Sequence, residues 1–117
     1  MIKLIKIPVI NKPVLLVTAP HDVLKASRRF KMGRNLIQMI KEDPPENCQA
    51  CVYQDEEKTR YVLYFKVKDL GTIVHETNHI IKHMMKLLGA QQEQEFHAYF
   101  QEYLFNEVRR SLRIKKQ

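Results

Sequence analysis

The stretch Val74-His75-Glu76-Thr77-Asn78-His79 constrains this chain most, because it sets two imidazoles and a carboxylate in the order H-E-x-x-H. Residues four apart on an α-helix point the same way, so a helix here presents the nitrogens of His75 and His79 to one ion. Glu76, one residue round, then reaches water on that ion. The pattern demands a helix whose wet side carries both histidines. At about 100° per residue, Ile73, Val74, Ile80, Ile81, Met84, Leu87 and Leu88 gather on one arc, and His75, His79, Lys82, His83 and Lys86 on another. The spacing predicts an amphipathic helix with its histidines facing a cleft or solvent, one bound Zn2+, and Glu76 as the catalytic base.

A catalytic zinc takes three protein ligands and keeps one position for water, so a third donor must come from outside the motif. His83 continues the stripe one turn on, but three ligands in a row along one helix do not surround an ion, and it reads as a rim residue. The metzincin spacing is excluded, since Met85 stands where its third histidine belongs. Glu95 is the favoured donor: it follows the Gly89 turn, where an antiparallel return brings a carboxylate back toward the histidines. Glu93, His97 and Glu102 compete with it.

His75-Glu-Thr-Asn-His79, then Leu88-Gly89, then Glu95-Phe-His-Ala98-Tyr99 and Tyr103-Leu104 together resemble the small phage and prophage metallopeptidases of the zincin superfamily. In these, H-E-x-x-H is followed by a short turn and E-x-x-A-Y. The resemblance spans roughly residues 48 to 108. Similarity to the gluzincin branch implies zinc held by His75, His79 and Glu95, with Glu76 as base. It also implies a sheet edge beside the cleft, the strand at 49–54, that aligns an extended peptide or protein substrate. For an oxyanion donor the chain offers Tyr99, His97 and His83, among which the sequence does not choose.

The rest of the chain has to supply a scaffold for that helix. With 117 residues and 44% apolar content, the expectation is a single domain over residues 1–117 with one modest core. Ile2 to Ile10 alternates partially, Val14 to Val17 reads as a buried strand, and Gln49–Gln54 with Tyr61–Val67 reads as an antiparallel hairpin. Asp22 is a fair N-cap for a helix carrying Val23, Leu24, Ala26 and Phe30. Helical spacing continues through Leu36, Ile37 and Ile40, and Gly33 bends or splits it. Pro44 and Pro45 place a loop at 42–47 that is neither helix nor strand interior. Asp69 or Thr72 caps the motif helix, Gly89 ends it, and a last helix starts near Gln91 with Phe96, Tyr99, Phe100, Tyr103 and Leu104 as its core stripe. The fold class is α+β: a minimal zincin-like domain in which a small, mainly antiparallel sheet carries an N-terminal helix, the motif helix and a C-terminal helix.

Cys48 and Cys51 are the two cysteines, half of a structural zinc site with no second pair. If 49–54 is a strand, their odd spacing sends the thiols to opposite faces, which predicts two unrelated reduced thiols. The net charge is +7, spread over a basic segment from Lys25 to Arg34 and a basic C-terminal end. It admits a second function class, a non-enzymatic module contacting nucleic acid, in which any metal is structural. The start Met-Ile-Lys-Leu-Ile-Lys-Ile-Pro interleaves lysine with apolar residues and lacks the long apolar run of a signal peptide or membrane span. The expectation is a cytoplasmic protein with no membrane partner.

Overall fold

In the computed structural model the described residues are 1–55, 59–90 and 93–114. Four strands form one sheet: β1 (Ile2–Ile7), β2 (Lys12–Val17), β3 (Ala50–Asp55) and β4 (Arg60–Phe65). Their order is β1-β2-β4-β3, with β1–β2 and β3–β4 antiparallel and β2–β4 parallel. The sheet is therefore mixed, with antiparallel pairing in the majority. A parallel pair needs a crossover, and the segment between β2 and β4 supplies it through α1 (Val23–Arg29) and α2 (Arg34–Glu42).

Alternation along the two central strands explains the layering. Val14 and Leu16 of β2 and Tyr61, Leu63 and Phe65 of β4 point to one face, where they pack with α3 (Leu70–Leu87) and α4 (Gln94–Ser111). Leu15, Val17, Val62 and Tyr64 point to the other face, where they meet Val23, Ala26, Leu36 and Ile40 of α1 and α2. Both faces are covered, so β2 and β4 read as continuous apolar runs rather than as polar-apolar alternation. Among the described residues no helix is long and apolar enough to cross a membrane.

The helix boundaries follow local chemistry. Gly33 splits α1 from α2, and its N–H donates to the Asp55 carboxylate at 2.9 Å. A Cβ at Gly33 would collide with that carboxylate, so the site accepts only glycine without rearrangement. Pro45 does not stay in an irregular loop as the sequence suggests: it opens a short 3-10 turn, Pro45–Asn47, where its missing N–H costs nothing. Asp69 caps α3, its Oδ1 accepting from the Thr72 N–H at 2.8 Å. Gly89, at φ +69°, ends α3, and the Ala90 N–H returns to the Met85 carbonyl at 2.8 Å.

The aromatic stripe of α4 is only partly core. Phe100, Leu104 and Val108 are buried at i, i+4 and i+8, whereas Phe96 and Tyr99 are 57% and 53% exposed. These two occupy the opening turns of α4 and line a shallow groove with Glu95, Phe100 and Val9 of the β1–β2 turn.

Candidate metal centre

The H-E-x-x-H stretch lies within α3, as its periodicity requires. Ile73, Ile80, Ile81 and Met84 are buried against the sheet, and His75 and His79 face outward. The two Nε2 atoms lie 3.1 Å apart with the rings nearly perpendicular. Two zinc–nitrogen bonds of about 2.0–2.1 Å span such a separation at close to a tetrahedral angle, so the pair fits one ion. The Glu76 Oε1 lies 3.9 Å from His75 Nε2, and its side chain is 16% exposed against 68% for His75. A half-buried carboxylate is thus set beside two wet imidazoles. Lys82 and Lys86, exposed on the same face, make the surroundings positive and favour anionic groups on whatever approaches.

The two remaining residues of the motif, Thr77 and Asn78, orient α4. Thr77 is buried, donates from its hydroxyl to the Ile73 carbonyl at 2.7 Å, and accepts from Gln101 Nε2 at 2.8 Å. Asn78 Oδ1 is 3.0 Å from His97 Nε2. Motif reading treats these two positions as free. A polar residue inside the apolar arc, as Thr77 is, was the available sign that it meets a polar partner.

These contacts decide which side of α4 returns toward the motif. The antiparallel return past Gly89 is there, but it presents His97 and Gln101 to α3. Glu95, two residues and about 200° from His97, turns toward Val9. Glu93 precedes the first turn of α4, and Glu102 lines a separate hollow with Tyr99, Tyr103, Asn106 and Arg110. Among the described residues no group of three or more His, Cys, Asp or Glu side chains is placed to hold a metal ion. The structure therefore brings His75, His79 and Glu76 together and does not bring Glu95 to them.

His83, one turn beyond His79, lies with its Nδ1 2.9 Å from the hydroxyl of buried Tyr61 at the start of β4. This ties the exposed ridge of α3 to the sheet. Because α4 packs on β1 and α3 on β3 and β4, the side of α3 opposite α4 looks over the β3 edge. Glu76, about 200° from Asn78, is on that side. Compared with protein-family models, with curated proteins and with solved structures, the chain matches none.

Cys48 and Cys51 do not diverge as strict alternation predicts. Cys48 precedes β3, and the chain bends at Gln49, whose carbonyl accepts from both Lys66 and Val67 at 2.8 and 2.9 Å. The bend returns Cys48 to the face of Cys51, where both join one apolar cluster and line one groove.

Proposed function

We propose that this chain is a zinc-dependent hydrolase of the H-E-x-x-H kind acting on peptide bonds, with His75 and His79 holding the ion and Glu76 handling the proton. The observation that carries the reading is the 3.1 Å approach of the two Nε2 atoms on an exposed helix face, with a half-buried carboxylate 3.9 Å from one of them. Two of the three ligands of a catalytic zinc are thereby supplied, and Glu95, the third that the family resemblance implies, would have to come round α4 to join them. The bound metal would supply a water of lowered pKa, near 7, and a Lewis acid for the carbonyl under attack.

The chain's own groups do the rest. Glu76, whose side chain is 16% exposed beside His75, takes the proton of the attacking water and hands it to the leaving amine. The edge strand β3 offers unpaired backbone groups on the Glu76 side, to which an extended peptide can add as a further strand. Lys82 and Lys86 favour substrates with acidic side chains or a free carboxylate.

The test is hydrolysis of denatured casein and of a mixed fluorogenic peptide set by zinc-loaded protein. Zinc-dependent cleavage in the parent and none in Glu76→Gln supports the proposal. Equal rates in the two proteins, or no cleavage by zinc-loaded parent, overturns it.

A further inference from the structure

On the opposite face of the sheet from the histidines, β3 and the end of α2 enclose an open groove of about 390 Å³ lined by Met39, Glu42, Asp43, Cys48, Cys51 and Tyr53. Both cysteines of the chain open onto it. Cys51 is buried in β3 in one apolar cluster with Tyr53, and Cys48 packs against that same cluster. Cys48 is half-exposed, its Sγ lying 3.9 Å from the Pro44 carbonyl. The Tyr53 hydroxyl donates to the Asp43 carbonyl at 2.7 Å, which fixes the groove wall behind Cys51. Two cysteines on one groove and one cluster, one buried and one half-exposed, are the arrangement that thiol–disulfide exchange uses.

We propose that Cys48 and Cys51 form a reversible dithiol–disulfide site, in which Cys48 meets an external low-molecular-weight disulfide and Cys51 closes the intramolecular bond. The Cys48 thiolate attacks one sulfur of the external disulfide, forming a mixed disulfide and expelling one thiolate. The Cys51 sulfur, giving its proton to solvent, then attacks Cys48 and expels the second thiolate. Two protein thiols are oxidised to one disulfide, and one external disulfide is reduced to two thiols. The order of attack follows from access. Burial, followed by the contact with Cys48, pushes the Cys51 thiol up to about 12, so it is a poor first nucleophile and becomes effective only when the Cys48 sulfur is activated beside it. This inference does not rest on the zinc ligands, since it uses neither α3 nor α4 and shares with the zinc reading only the strand β3.

The test treats the reduced full-length chain with glutathione disulfide, alkylates the remaining thiols and reads the intact mass. The parent should lose both alkylatable thiols together, without a lasting glutathione adduct, and recover both on addition of dithiothreitol. Cys51→Ala should hold one glutathione on Cys48, and Cys48→Ala should stay unmodified while folded by circular dichroism. A parent that keeps both thiols, that accumulates a stable adduct, or that links to a second chain overturns the proposal. The parent's mass alone decides the matter if either variant fails to fold.

Discussion

The imidazole of His97 meets the side-chain carbonyl of Asn78 at 3.0 Å, and with the Gln101–Thr77 bond it fixes the rotation of α4 about its own axis. That rotation points Glu95 away from the histidines. Glu95→Ala is therefore expected to change zinc affinity by less than about threefold, below the ten- to hundredfold typical of losing even a supporting partner. Isothermal titration with zinc checks it, and a loss of a hundredfold would show that α4 turns when metal binds.

Glu76→Gln should keep zinc and lose hydrolysis, because the amide preserves shape but takes no proton. A fall in turnover of about a hundredfold or more is expected, measured on metal-loaded protein. A Gln variant that releases zinc would instead make Glu76 a ligand.

Stability should fall at alkaline pH through the β3–α2 face. Burial raises the Cys51 thiol to about 12, above its ordinary value near 9, so the neutral thiol is the form that the fold retains. A raised acid contributes stability fully below its unfolded value and loses it as pH climbs toward the folded one. Burial raises Tyr53 in the same direction. Urea midpoints measured between pH 8 and pH 11 should decline, and Cys51→Ala should decline less steeply.

Gly33→Ala should destabilise by about 1–3 kcal/mol, the usual cost of forcing an extra carbon into a filled site. The added methyl meets the carboxylate of Asp55, which is 2% exposed and holds the Gly33 N–H. Thermal melts of the two proteins give the difference.

Local chemistry in the sequence was enough to narrow the α3 cap to Asp69 or Thr72, to mark a bend or split at Gly33, and to place the Gly89 stop and the outward face of His75 and His79, because each depends on residues within a turn or two. The rotation of α4 was not legible. Its apolar stripe runs from Phe96 to Leu104, yet the residues it buries fully are Phe100, Leu104 and Val108, with Tyr103 only partly buried against the core, so the wheel was centred too far toward Tyr99 and Glu95. The selection came instead from two polar contacts across 19 and 24 residues, which no periodicity reports. Strand alternation misled at the cysteines for a similar reason, since the bend at Gln49 is set by bonds from Lys66 and Val67. The parallel pairing of β2 with β4 is likewise a long-range choice, made by covering both faces of the sheet with helices.

The central claim is that the paired imidazoles of α3 hold zinc. Titrating metal-free protein with zinc and counting bound ions by elemental analysis tests it most directly. One ion per chain in the parent, with binding lost in both His75→Ala and His79→Ala while the fold persists, is the predicted result. A folded parent that takes up no zinc in excess metal, or binding unchanged in either alanine variant, would contradict it.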